Sequence, residues 1–189
     1  MIEALKPMSE PAKANKAMRA ELAKAFPGIK FQGTSEIYSG GSSVNIRWNF
    51  GPTTKQVQAI TDKYQEGNFN GMEDIYEYRR NRPATEGHAK YVFENRDYFE
   101  PVFTQIARDY AALLGDPLPE GTAPWNHMVK TGGQNEWLAS MTNQLLAVYE
   151  FPAGWTYQGM REAPGEYPRA AGHVSEFYEI IGGIRHPRY

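Results

Sequence analysis

The sequence predicts an α+β protein: a small antiparallel sheet, built from a hairpin plus one or two short strands and covered by two helices, followed by a helical and loop-rich C-terminal half. Three observations predict it. Ala14, Met18, Leu22 and Ala25 recur at helical steps; Val44, Ile46 and Trp48 alternate with Asn45, Arg47 and Asn49 beyond a Gly-containing turn; and residues 151–172 carry three prolines and four glycines, which break any regular period. The chain divides on this reading into residues 1–98, ordered α-β-β-α-β, and residues 99–189.

Each element has a local reason. Residues 11–25 form the first helix, with Ser9 at its N-cap position and "FPG" at 26–28 ending it. Ile29, Phe31 and Ile37 share parity before "YSGGSSVNIRW" (38–48), and period two on both sides of Gly40 and Gly41 reads as a β-hairpin. "GPTTKQ" opens a second helix, where Thr53 and Gln56 have capping-box spacing and Val57, Ile60 and Tyr64 form the buried stripe. "EGNFNG" stops it as a turn, and the aromatic runs "DIYEYRR" (74–80) and "KYVFEN" (90–95) read as strands. A third helix starts near Pro101, with Val102, Ile106, Tyr110 and Leu113 as its stripe, and "LGDPLPEG" ends it. After the loop-rich "APWNHMVKTGGQ", a fourth helix covers about 135–149 on Trp137, Met141, Leu145 and Val148, and a short last one covers His173 to Ile181.

The 189 residues suffice to bury a sizeable core, and the absence of cysteine excludes disulfides and thiolate zinc sites and favours an intracellular, cytoplasmic setting. No segment has the roughly 20 apolar residues of a membrane span. Residues 1–96 hold 14 Lys/Arg against 11 Asp/Glu, whereas residues 97–189 hold 6 against 11, so the halves differ in sign. Ordinary solvated surfaces account for a difference of this size, and a basic or an acidic face used for recognition is the alternative.

Candidate chemistry is sparse. The glycines at 40 and 41 lack the spacing and the following lysine of a phosphate loop and suit a hairpin turn, with backbone amides of Gly40, Gly41 and Ser42 as a residual anion-binding nest. His88, His127, His173 and His186 have no metal-ligand spacing, no nucleophile elbow is present, and Glu73, Asp74 and Glu77 read as a solvated strand end. No catalytic, cofactor or metal residue is assigned, and the chain is not read as an enzyme. Tyr78, Arg79, Arg80, Arg82, Lys90 and Tyr91 combine cations with rings, as single-strand binders do, although guarded sheet edges have the same composition. Trp155, Tyr157 and Tyr167 lie in the Pro/Gly-rich stretch, where they serve as core filler or as interface anchors.

Residues 20–79, from "AELAKAFPGIKF" through "YSGGSSVNIRW" and "GPT" to "FNGMEDIYEYR", resemble the large polyvalent protein-associated domains of phages and conjugative elements, and "AKYVFENRDY" (89–98) continues the pattern. The resemblance covers the N-terminal half and implies a role in establishing a mobile element in its host, including countering restriction or CRISPR immunity. It implies no catalytic residues. The expected function is a counter-defence protein that binds a host CRISPR effector or restriction complex stoichiometrically. The alternative is a nucleic-acid-binding accessory protein of a plasmid or phage, and an enzyme acting on a host factor is the third reading.

Overall fold

A computed structural model describes residues 7–81, 83–131, 133–162 and 178–181. The chain forms two compact units, one of residues 1–49 and 54–97 and the other of residues 50–53 and 98–189. Both mix helices with small sheets, so the α+β class holds.

The first unit begins with helix α1 (Glu10–Ala25), whose N-cap residue is Ser9. The cap works through the backbone: the Ser9 carbonyl accepts from Lys13 N–H at 2.9 Å, while the hydroxyl makes no capping bond. Ala14, Met18 and Leu22 are buried at four-residue steps, as the periodicity requires, but Ala25 lies exposed at the last turn.

Strands β1 (Gln32–Tyr38) and β2 (Gly41–Asn49) pair antiparallel from Gln32↔Arg47 to Tyr38↔Gly41. Between them Gly40 holds φ +92°, a turn conformation that a residue without Cβ reaches at little cost. Val44, Ile46 and Trp48 all point into the core, and Trp48 packs against Phe31 at 5.8 Å between ring centroids. Ile37 differs from its predicted inward position. It is exposed near the turn end of β1.

Helix α2 (Thr54–Thr61) runs into a 3₁₀ turn at Asp62–Tyr64 and buries Val57, Thr61 and Tyr64. Lys63 Nζ and the Tyr64 hydroxyl both donate to the Glu21 carboxylate, at 2.6 and 2.7 Å, linking this segment to α1. Strand β5 (Tyr91–Asp97) then joins β2 in parallel, from Ser43↔Tyr91 to Asn49↔Asp97. The sheet order is β1-β2-β5, so its third strand is parallel rather than antiparallel. A parallel neighbour needs a long crossover, and the segment between β2 and β5 is long enough to supply it.

The run 65–78 also departs from the sequence reading. "GNFN" is not a turn but strand β3 (Gly67–Asn70), which pairs with β4 (Ile75–Tyr78) in a separate two-stranded hairpin. Its Gly67 and Asn70 pair directly with Tyr78 and Ile75.

The carboxyl of Glu94, on β5, is mostly withdrawn from water and bonded by the Thr61 hydroxyl. Burial pushes its pKa above the ordinary value, and the Thr61 bond only partly offsets this. A raised carboxyl pKa means that the folded state holds its proton more firmly than the unfolded chain. The stability it contributes is therefore present below about pH 4.5, the unfolded value, and is lost as pH rises through the folded value. Glu94→Gln keeps an acceptor for Thr61 without the charge. Thermal unfolding should show the variant more stable than wild type at pH 7.5 and show that advantage vanish at pH 4; equal curves at both pH values would contradict this account.

The second unit is built on α3 (Glu100–Leu113) and α4 (Leu138–Ala147). Pro101 sits in the first turn of α3, where a missing N–H costs nothing. Phe103, Ile106, Tyr110, Leu138, Leu145 and Leu146 lie at the centre of the core. Strands β6 (Met128–Thr131) and β7 (Gln134–Trp137) form a hairpin where the sequence predicted a loop and the start of a helix; the helix begins only at Leu138. Gly133, at φ +89°, lies in its turn, a signal that loop-rich neighbours obscure. Strand β8 (Gly159–Glu162) pairs antiparallel with β9 (Tyr178–Ile181). The predicted last helix is thus replaced by strand at 178–181, while its residues 173–177 lie outside the described residues.

Candidate functional site

The β3–β4 hairpin and the residues leading into it are tied to the start of β5 and the chain entering it by a mixed set of bonds. Glu66 N–H donates to Ala89 O at 2.9 Å, Ala89 N–H to Tyr64 O at 3.0 Å, and Arg79 N–H to Glu66 O at 2.8 Å. The Gln65 side-chain oxygen accepts from Val92 N–H at 2.9 Å, and the Tyr76 hydroxyl donates to the Lys90 carbonyl. Gly67 is required where it stands, since an added Cβ would lie 2.0 Å from the Glu77 carbonyl oxygen.

Two-residue periodicity places Tyr76 and Tyr78 on one face of β4, and Tyr91 and Phe93 on one face of β5. The four rings form a continuous row: Tyr78 to Tyr76 at 4.9 Å, Tyr76 to Tyr91 at 5.3 Å, and Tyr91 to Phe93 at 6.1 Å. Its ends face solvent, with Tyr78 63% and Phe93 47% exposed. The middle is more enclosed, and burial pushes the Tyr76 hydroxyl up to about 12.

The cations predicted to accompany these rings are largely engaged inside the unit. Arg79 makes a forked pair with Asp62 at 2.8 and 2.6 Å and a third bond to the Asp62 carbonyl at 2.8 Å, and the Asp62 bond raises its already high pKa. Lys90 Nζ donates to the Gly40 carbonyl at 2.9 Å and lies 5.1 and 5.7 Å from the Tyr76 and Tyr91 rings. Arg80 is exposed, and Arg82 lies outside the described residues. Tyr78, Lys90 and Tyr91 are therefore brought together, whereas Arg79 serves the fold.

Beside the row, an open cleft of about 330 Å³ is lined by the hairpin turn at Gly40–Ser42 and by Glu66, Tyr78, His88 and Lys90. The Gly40 carbonyl meets a lysine there, and the Ser42 hydroxyl accepts from Lys90 N–H at 3.2 Å. His88 Nδ1 lies 2.7 Å from Glu66 and its Nε2 3.9 Å from Glu10. This is a histidine held between two carboxylates, with no aligned hydroxyl or thiol to act as nucleophile among the described contacts. His127, in the second unit, lies 3.8 Å from Asp116, and His173 and His186 fall outside the described residues.

In the second unit, Trp155 packs on Phe151 at 4.6 Å and on Phe50 at 5.2 Å, and Tyr157 lies 6.3 Å from Trp155. The Tyr157 hydroxyl donates to Asp109 at 2.6 Å; burial, with that carboxylate, drives its pKa far above the usual phenol range. Trp155 and Tyr157 line a cleft of about 520 Å³ with Phe99, Val102 and Gln105. Tyr167 lies outside the described residues.

Sequence reading missed Tyr76, although its two-residue spacing from Tyr78 was the available signal. It also missed exposed apolar groups on the hairpin, Phe69 at 55% and Met72 at 98% exposure. No described helix is long and apolar enough to cross a membrane. No curated protein and no solved structure shows significant similarity to the chain. Residues 9–99, which span the helix, hairpin, aromatic row and cleft, match the family model of large polyvalent protein associated domain 29, and the N-terminal half of the chain is a domain of that family.

Proposed function

We propose that the protein is a mobile-element counter-defence factor that inhibits a host CRISPR effector or restriction complex by stoichiometric binding. The observation that carries this reading is the concentration of exposed aromatic and aliphatic side chains on the family domain, Ile37, Tyr38, Phe69, Met72, Tyr78 and Phe93 among them. Such groups gain by leaving water on association, and a stable interface needs only about 800 Å² per partner around a few anchors. The engagement of Arg79 by Asp62 favours a protein partner over phosphate. The association of the family with mobile elements supplies the biological setting.

The test is a pull-down with the full chain from lysate of the host class, with and without nuclease. Retention of a CRISPR or restriction component after nuclease treatment is the expected result. The double variant Tyr78→Ala/Phe93→Ala should weaken that binding by about 2 kcal/mol, close to 30-fold, if the exposed ends of the row are anchors.

The second reading, a nucleic-acid-binding accessory protein, draws on the four-ring row with Lys90 and exposed Arg80. It predicts direct binding to single strands that falls steeply with salt. Loss of all retention on nuclease treatment would favour it.

A further inference from the structure

The β3–β4 hairpin combines two features that ordinary surface turns do not. Met72, at its tip, is 98% exposed, so none of the described residues covers it. The turn is nevertheless braced: Met72 N–H donates to Asn70 Oδ1 at 3.1 Å, Asn70 Nδ2 donates to Glu77 Oε1 at 2.9 Å, and Asn70 pairs with Ile75 across the base. Asp74 completes the turn at φ +54°, a conformation that aspartate tolerates better than most residues. The thioether stands out from a hydrogen-bonded turn.

The second feature is charge. Glu73, Asp74 and Glu77 are exposed around Met72, residues 67–78 contain no lysine or arginine, and among the described residues none of the three carboxylates makes an ion pair. Glu66, just before the hairpin, is taken by His88, and Arg79, just after it, by Asp62.

We infer that this hairpin is the docking wedge of the protein, Met72 entering an apolar pocket on a partner protein whose rim is rich in lysine and arginine. The inference rests on the protein-binding reading above and names the element and the partner chemistry. The sign of the tip selects among occupants. Phosphate backbones and anionic lipid surfaces both carry the same sign as the three carboxylates, and each would be repelled. A basic protein rim is attracted, and an unbranched, polarizable methionine adapts to a pocket of irregular shape.

The test uses the full-length protein and a panel of tag-purified, nuclease-treated CRISPR effector and restriction complexes of the host class. Binding is measured at about 50 and 300 mM salt for wild type, Met72→Ala, and the triple variant Glu73→Gln/Asp74→Asn/Glu77→Gln. These side chains are exposed, Asn suits the Asp74 backbone, and Gln keeps the acceptor for Asn70, so circular dichroism and melting should be unchanged. Each variant is expected to lose about tenfold in affinity at low salt, and the triple variant should also lose most of the salt dependence. If wild type binds a complex and both variants bind within about twofold of it, the hairpin inference fails while the counter-defence reading stands. If wild type binds no member of the panel, the counter-defence reading fails and takes the wedge with it. Wild-type binding to duplex DNA or phosphatidylserine vesicles that survives in the triple variant would also overturn the assignment.

Discussion

Replacing Gly87 with valine is expected to destabilise the first unit by about 2–4 kcal/mol and to loosen the chain that leads into β5. Gly87 sits at φ +77°, where a β-branched residue is strained, and a Cβ built there would lie 2.3 Å from the Glu10 carbonyl oxygen and 2.6 Å from the Ala14 nitrogen. Both neighbours are helix backbone, so neither can swing aside. The close approach sets His88 between Glu10 and Glu66 and starts the 89–92 segment on which the aromatic row depends. Denaturant unfolding should show a lower midpoint, and hydrogen exchange should rise first at Ala89 and Val92. A midpoint within about 0.5 kcal/mol of wild type would contradict the packing described here.

A larger loss, about 3–5 kcal/mol, is expected from Phe151→Ala in the second unit. Phe151 is 1% exposed and contacts the Phe50, Tyr149 and Trp155 rings at 5.0, 6.3 and 4.6 Å. Truncation leaves a cavity that three large rings cannot fill without leaving their rotamers, and it removes edge contacts that aromatic pairs gain beyond buried area. The backbone bond from Phe151 N–H to Gly51 O, 2.9 Å, survives the substitution, so the loss reads packing. Phe151→Leu should recover more than half of it. Equal losses for alanine and leucine would mean that filled volume contributes nothing and that the ring contacts carry the whole effect.

Periodicity was legible wherever one face meets a core. Ala14, Met18 and Leu22 on α1 and Val44, Ile46 and Trp48 on β2 are buried as their spacing requires. Glycine was the ambiguous letter. "GNFN" reads as a turn by composition, yet Gly67 is in a strand because the Glu77 backbone passes too close for any side chain. The tetrapeptide "TGGQ" likewise concealed a hairpin among loop residues. Period could not distinguish helix from strand at 178–181, where a short apolar run suits either.

The candidate site was half legible. Tyr78, Lys90 and Tyr91 stand together as their sequence cluster predicted, because the hairpin folds back on β5. That Arg79 is neutralised by Asp62 is a tertiary fact, since the two are 17 positions apart. Met72 carried no pattern at all: an isolated apolar residue among turn formers acquires meaning only once its exposure and the hydrogen bonds of its turn are known.

The proposed counter-defence function requires inhibition by occupancy rather than by turnover. The most direct measurement titrates the purified protein into a fixed, high concentration of the captured defence complex and follows target-DNA binding by that complex. Occupancy would give a linear fall that ends sharply at a fixed molar ratio and recovers when the protein is removed. Complete inhibition at a small fraction of one equivalent, persisting after removal, would be catalysis on the host factor and would contradict it.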